Sequence, residues 1–524
     1  MKRIVAMLLS VILLVTLLAA CGSDQKNDVS TPSDTSSNAA SGEDDGDSSS
    51  EPAGDEEAYN VIMTVTTIGV TPPDLQLVQE EINKIALAET NTTVELLPIA
   101  ITELSQKYSL MLSSGEKLDL AMSFVGLTPV SSFVSKGQII ELDDLVAQRG
   151  QDILEAEQIA MAGGYYNGKL YGVPSEEKYG RPQGMYLRAD LVQKYNIDVD
   201  SIKTYEDITA MFATIKENEP DIIPLSTVGS NATTFGSVFN PLDLLGSTIA
   251  SGGLLNAGQG DTAVLNVFAT PAYEEHVTWM RRWYEAGYFL PDAITTSDSS
   301  VDLGKAGRAF AGLGGVEPGQ VSNLSRDWGY EMVGLELVPA YATTNTYQTT
   351  MWCIPITCEN PEKTMDFLNL TYKDETVVNL LSNGIEGVHY VKTDDPMIIT
   401  YPEGMDLSNT GYNMPLHTYG DKMKKYAWVP TDPAVFDQLK ALNAEVAANG
   451  VSKTLGYVFN ADSVKSEFTA VTNVIAEYRA ALETGSVDPT TALPEFISKL
   501  ESAGIDKIIE ENQRQLDAWL EANG

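Results

Sequence analysis

Between Val61 and Phe124 the chain alternates strand and helix signals, and no other stretch limits the fold as much. Residues 61–67 are β-rich, and Pro72-Pro73-Asp74 then opens a helix whose Leu75, Val78, Ile82 and Ile85 recur at helical spacing. Residues 93–98 read as the next strand. A helix from about Thr102 carries Leu104, Tyr108, Met111 and Leu112 and stops at Gly115, a residue suited to the left-handed cap. Residues 118–124 form the third strand. Strands separated by helices in this way dictate a parallel sheet covered on both faces. In such sheets ligands sit beyond the carboxyl ends of the strands. The loops at 67–70 and 124–126 are therefore the expected binding edges.

The segment before this body decides where it works. Met1-Lys2-Arg3 is a cationic start, the run from Ile4 to Leu18 is almost unbroken apolar sequence, and small residues lead into Cys21. That is the pattern of a secretory signal, here residues 1–20. The apolar run is shorter than the ~20 residues a spanning helix needs. Leu18-Ala19-Ala20-Cys21 resembles the lipobox of bacterial lipoproteins. The resemblance implies a lipid-modified (palmitate-bearing) Cys21 at the mature N-terminus, tethered to the outer face of the cytoplasmic membrane. Residues 21–58 form an acidic linker of Ser, Gly, Asp and Glu with a single lysine, Lys26. Such a segment cannot build a core, and as a flexible leash it would reach roughly 35 Å.

Charge and residue counts remove several function classes. The net charge is −40, with 73 acidic residues against 33 basic, so nucleic acid and anionic head groups are poor partners. Beyond Cys21 only Cys353 and Cys358 remain, in a strand that runs into a loop. Extended, that spacing covers roughly 16 Å against a bridging limit of roughly 7 Å, so no disulfide is expected unless a turn intervenes. His276, His389 and His417 show no metal-ligand spacing. Neither metal nor cofactor is expected. No G-x-S-x-G or H-E-x-x-H motif occurs, and carboxylate pairs are too plentiful to identify a glycosidase. An extracellular glycosidase stands as the enzymatic alternative, and no enzymatic activity is the expectation.

The central and C-terminal motifs carry a family resemblance. Asn167-Gly-Lys-Leu-Tyr-Gly-Val-Pro174 follows Gly137-Gln-Ile-Ile-Glu-Leu-Asp-Asp-Leu145 and precedes Tyr186-Leu-Arg-Ala-Asp-Leu191 and Thr204-Tyr-Glu-Asp-Ile208. Further on come Tyr284-Glu-Ala-Gly-Tyr-Phe-Leu-Pro-Asp292, the glycine-marked run 304–315, and Asn360-Pro-Glu-Lys-Thr-Met-Asp-Phe-Leu368. In this order the motifs resemble the extracellular solute-binding proteins of sugar-importing ABC transporters. Gly384-Ile-Glu-Gly-Val-His-Tyr390, Gly456-Tyr-Val-Phe-Asn460 and Gln513-Arg-Gln-Leu-Asp-Ala-Trp519 are similar to a lipoprotein branch with a C-terminal helical domain of unknown function. The resemblance spans about residues 59–524. The helix after Asp462 places Val464, Phe468, Val471, Ile475, Tyr478 and Leu482 on one face. That stripe is too short for a coiled coil and is expected to pack on its own lobe.

The resemblance implies a two-lobed α/β clamp of the periplasmic-binding-protein type (type II), with a helical C-terminal extension. Lobe 1 is expected from residues 59–175 plus 352–385, and lobe 2 from 176–351 plus 386–524. Closure traps a solute and presents the closed form to permease subunits. The expected protein is a monomer that captures an oligosaccharide; a peptide or other small solute is the alternative. Sugar recognition needs aromatic faces for the ring, with carboxylates, amides or arginine for its hydroxyls. By position the candidates are Phe124, Tyr179, Arg181, Glu317, Trp352, Glu386, His389 and Phe459. Trp352 and Glu386 are the expected aromatic and carboxylate pair. The first loop, residues 66–71, departs from the family in having no Trp, Asp or Lys.

Overall fold

The computed structural model describes residues 57–229, 232–414, 416 and 418–523. The signal segment, Cys21, the leash through residue 56 and His417 lie outside the described residues. In chain order the first lobe has β1 (Tyr59–Thr67), α1 (Leu75–Thr90), β2 (Thr92–Ala100), α2 (Leu104–Ser114), β3 (Ala121–Phe124) and α3 (Val130–Ser135). The chain crosses through β4 (Val173–Pro174) to β5 (Gln183–Arg188), α4 (Tyr205–Asn218), β6 (Ile223–Leu225), α5 (Pro271–Glu285), β7 (Ala309–Gly315) and β8 (Met332–Val338). It returns as β9 (Thr350–Cys353), α6 (Pro361–Lys373) and α7 (Glu375–Asn383). A ribbon of β10 (Val391–Lys392), β11 (Ile398–Thr400) and β12 (Ala427–Trp428) leads to α8 (Ala434–Asn449), α9 (Lys465–Glu483), α10 (Pro489–Ala503) and α11 (Ile505–Asn523).

Local chemistry sets the helix ends. Gly115 ends α2 at φ +73° and donates its N–H to the Met111 carbonyl, a conformation that costs glycine nothing. Thr204 and Asp207 form a complete capping box at the start of α4. Thr270-Pro271 and Asn360-Pro361 each place a capping side chain before a proline at the first helical turn of α5 and α6.

The first-lobe sheet is parallel where the alternation predicts it. β1 and β2 pair in parallel from Tyr59↔Thr92 to Thr67↔Ala100, and a parallel bridge between Met63 and Leu120 leads on to β3. The returning β9 runs antiparallel between β3 and β4, with Trp352 opposite both Met122 and Val173. The second-lobe sheet has the order β8-β5-β7-β6, with β5 antiparallel to both neighbours. Both lobes are thus mixed: the strands joined by helices pair in parallel, and the crossing segments add antiparallel ones. Opposite Tyr186 the chain needs Gly312, because a Cβ there would lie 2.4 Å from the Tyr186 ring.

One feature of the cores differs from the expected domain limits. Tyr412, Met414 and Tyr419 belong to the first-lobe core with Val65, Phe124 and Trp352, so the segment after α7 packs on lobe 1, where the resemblance assigned everything past residue 385 to lobe 2. The apolar side chains on it are what decide this, and no local motif announces them. The C-terminal helices have no core of their own: Val471, Ile475, Phe496, Ile508 and Leu516 share one cluster with Leu245, Phe268, Tyr273 and Val277 of the second lobe. The α9 stripe packs as expected. A small layer of Ala160, Tyr179, Ala342, Tyr347 and Val446 sits where the crossings meet.

Candidate functional site

A cavity of about 650 Å³ lies between the lobes, within the ~300–1,000 Å³ range of small-molecule sites. First-lobe walls come from Val125 and Gly126, just past the carboxyl end of β3, from the segment 129–135 containing α3, and from Tyr166-Asn167. Opposite them stand Gly246, Ser247 and Thr248, with Asn345 and Gln348 of the return crossing and the segment from Val458 to Asp462. Polar and apolar groups share the lining about equally: the hydroxyls of Ser131, Ser132, Ser135 and Thr248 and the amides of Asn167 and Asn460 lie among Val125, Val130, Val134 and Phe459. Among the described residues no lysine or arginine lines it, and Asp462 is the one carboxylate.

Hydrogen bonds hold these walls in place. Asn345 accepts the Gly246 N–H through Oδ1 at 3.0 Å and donates Nδ2 to the Ser247 carbonyl at 2.7 Å, so one side chain fixes the turn. Gln348 donates Nε2 to the Tyr166 hydroxyl at 3.2 Å, tying the first lobe to the crossing. Val125 N–H donates to the Thr349 carbonyl at 3.1 Å. The carboxyl ends of β1 and β3 expose Ile68, Val70, Val125 and Leu127, of which only Val125 lines the cavity.

Of the eight side chains expected to touch a ligand, only Phe459 lines this cavity. Trp352 is 1 % exposed, stacks on Tyr419 at 6.1 Å and donates Nε1–H to the Thr418 carbonyl. It is a core residue of the first lobe, because β9 is covered on both faces. Phe124 turns into the same core; its N–H bonds to the Thr128 hydroxyl and leaves Val125 and Gly126 at the edge. His389 is buried, accepts the Ile385 N–H on Nδ1 at 2.8 Å and so presents Nε2–H to Asp74 at 3.1 Å. It fastens the turn that carries Glu386. Glu386 itself is exposed, 3.9 Å from Lys392.

Tyr179, Arg181 and Glu317 fall together at the crossings. The Tyr179 side chain lies in the hinge layer, and the Tyr347 hydroxyl donates to its carbonyl at 2.8 Å. Arg181 is exposed. Glu317 is 2 % exposed, with Lys178 at 3.5 Å and no hydrogen-bond partner for Oε2 among the described residues. Lys178 also pairs with Glu177 at 2.8 Å. Glu157 receives the Glu176 N–H, and Lys422 donates to the Ser175 carbonyl. Burial, reinforced by Glu176, pushes the Glu157 carboxyl well above the usual range, and burial lowers the Lys425 ammonium to about 8. The hinge is therefore charged and dense, whereas the cavity is nearly neutral.

Sequence reasoning missed the cavity's serines, Gly246-Ser-Thr248, Asn345 and Gln348. These lie in loops brought together by the fold, and only the predicted edge at 124–126 and Phe459 were visible as signals. Cys353 and Cys358 are free thiols, the latter beside Thr364 at 3.2 Å.

Two α/β lobes around a cleft are the architecture of a solute-binding protein. The profile of bacterial extracellular solute-binding proteins matches residues 81–385, more than half of the chain, and a domain of unknown function, DUF3502, matches residues 453–521. The chain belongs to the bacterial extracellular solute-binding protein family. Among individual relatives, a carbohydrate ABC transporter substrate-binding protein of Streptococcus pneumoniae serotype 4 is 28% identical over 466 residues, covering 88% of this chain and 91% of that one. The crystal structure of the N-glycan transport solute binding protein NgtS from Streptococcus pneumoniae superposes with a TM-score of 0.76 at 26% identity, covering 88% of this chain and 100% of that one. NgtS in complex with Man5GlcNAc matches at 0.64, with 26% identity and coverage of 88% and 99%. A human-milk-oligosaccharide-binding solute-binding protein of Bifidobacterium longum infantis shares the fold at 14% identity and a TM-score of 0.60, covering 88% of this chain and 99% of that one.

Proposed function

We propose that this protein is the solute-binding lipoprotein of an ABC importer and captures a neutral oligosaccharide between its lobes. The observation that carries the reading is the chemistry of the cavity. Among the described residues its walls offer serine and threonine hydroxyls, amides and Tyr166, with no cationic side chain. A zwitterionic peptide or an anionic solute leaves a carboxylate unpaired in such a cleft. A polyhydroxylated chain finds both donors and acceptors. The relatives named above for carbohydrate and N-glycan transport support the same reading, and a Man-GlcNAc oligosaccharide is the first ligand to try.

Closure is the step that delivers the solute. The structure matches NgtS at 0.76 and its complexes with Man1GlcNAc and Man5GlcNAc at 0.67 and 0.64, all at 26% identity. One protein scored three ways at one identity differs in shape, and a spread of this kind is what lobes turning about crossings produce. In this chain the crossings meet in the layer around Tyr179 and Tyr347. Lipid attachment at Cys21 keeps the clamp beside its permease subunits at the membrane; Cys21→Ser is expected to release the protein into the medium.

The test is a binding titration with Man5GlcNAc, alongside a tripeptide control, by calorimetry and thermal shift. A ligand present at 100 times its dissociation constant stabilises the fold by about 2.7 kcal/mol. Stabilisation by the glycan alone supports the reading; stabilisation by the peptide alone, or hydrolysis of the glycan, refutes it.

A further inference from the structure

We infer that the C-terminal domain, residues 453–521, contributes a wall to the second-lobe side of the solute cavity, beside Gly246 to Thr248, and that Asn460 and Asp462 are the side chains it presents to the saccharide. The inference rests on the oligosaccharide reading above and gives this domain a role in recognition.

The wall is built from the C-terminal domain's opening segment. Val458, Phe459, Asn460, Ala461 and Asp462 line the cavity across from α3, and Val458 also packs against the first-lobe core. The backbone of this segment is pinned on several sides. Phe459 N–H donates to the Leu245 carbonyl at 3.0 Å, and Gly456 N–H to the Thr344 hydroxyl at 2.9 Å. Gln515 of α11 takes the Asn460 N–H on Oε1 at 3.0 Å and returns Nε2–H to the Asn460 carbonyl at 2.9 Å. A single amide thus satisfies both backbone groups of one residue. The Tyr457 hydroxyl donates to Asn512 Oδ1 at 2.8 Å, tying the previous turn to the same helix.

With the backbone satisfied, the side chains are left for other work. Asn460 Oδ1 accepts the Asp462 N–H at 2.8 Å, which turns the carboxamide so that its NH₂ has no partner among the described residues. Asp462 is exposed, and no side chain caps α9, so helix capping does not account for it. An NH₂ with two donors next to a carboxylate with only acceptors matches neighbouring hydroxyls, each of which donates one hydrogen and accepts another.

The domain is also rigidly joined to the lobe it serves. Glu483, fully buried at the end of α9, accepts the N–H groups of Thr234 at 2.6 Å and Phe235 at 2.9 Å and pairs with Arg479 at 2.6 Å. Together with the shared core of Phe268, Tyr273 and Phe496, this makes α9 to α11 move as part of the second lobe. Closing the lobes carries Asn460 and Asp462 toward the serines of α3. Such a wall acts on the solute only in the closed clamp.

The experiment is a calorimetric titration of the full mature chain with Man5GlcNAc, comparing wild type with Asn460→Ala, Asp462→Ala and the double variant. Each single change is expected to weaken binding about tenfold and the double about a hundredfold, with the ligand-free melting temperature unchanged because both side chains are exposed. Gln515→Ala, which frees the Asn460 backbone, is expected to weaken binding while the contacting side chains remain. A double variant that binds like wild type overturns the inference and leaves the oligosaccharide reading intact. Weaker binding accompanied by a lower ligand-free melting temperature assigns both residues to the scaffold and also overturns it. A wild type that does not bind Man5GlcNAc overturns both.

Discussion

His276 makes the second lobe sensitive to acid, by an amount that follows from its surroundings. The ring is fully buried in α5. Thr234 Oγ1 donates to the Glu483 carbonyl at 2.9 Å and so must accept from His276 Nε2–H at 2.6 Å, which leaves Nδ1 to accept the Tyr205 hydroxyl at 2.8 Å. That network needs a neutral imidazole. A second ring proton would face the hydroxyl hydrogen of Tyr205, with Arg479 as an added positive charge. Burial first, and Arg479 second, lower the pKa from 6.5 to about 3. The unfolded chain therefore binds a proton that the folded chain refuses between those values, and stability falls as pH drops below about 6.5. From pH 7 to pH 5 the loss is about 2 kcal/mol, at 1.36 kcal/mol per unit once below the unfolded pKa. Burial also raises the carboxyls of Glu157 and Asp243, so the comparison is with His276→Gln, whose packing cost does not change with pH. Urea unfolding followed by tryptophan fluorescence should show wild type losing about 2 kcal/mol relative to the variant between pH 7 and pH 5. A constant gap refutes the argument, as does an imidazole resonance of His276 that titrates near 6.

Trp352→Ala should lower stability by about 3–5 kcal/mol, measured by urea unfolding, with affinity for the oligosaccharide kept; lost affinity at unchanged stability would turn the ring toward the solute. Thr204→Ala removes the α4 capping box and should cost about 1 kcal/mol by the same assay; no change would mean another group takes the cap. Gly312→Ala pushes a Cβ into the Tyr186 ring and should cost about 1–3 kcal/mol, whereas a neutral result would show that the ring swings aside. Small-angle scattering should give a smaller radius of gyration with Man5GlcNAc and unchanged far-ultraviolet circular dichroism; identical curves would argue for a rigid site.

How much of this was legible depended on range along the chain. The β1 to β3 alternation, the Gly115 stop and the apolar stripe of α9 are local, and each formed with at most small shifts of boundary. Trp352 could not be oriented from sequence because all four residues of β9 are buried: a strand between two others, covered on both faces, loses the alternation that tells inside from outside. The motif Gly384-Ile-Glu-Gly-Val-His-Tyr390 was visible, but not that His389 reaches back to Asp74, 315 residues away. The cavity was least legible. Serines, glycines and amides in separate loops carry no spacing signal, and only tertiary contact makes them one surface.

The core shared by α5 and the C-terminal helices also sets the order in which the chain becomes a protein. Leu516 of α11 is fully buried against side chains that include Tyr273 and Val277, and the first-lobe core waits in the same way for Tyr412 and Tyr419. Domains ordinarily fold from the amino end as they leave the ribosome. Here neither lobe can finish its interior before these later segments join it, so a chain cut short before α11 would leave the second-lobe core open.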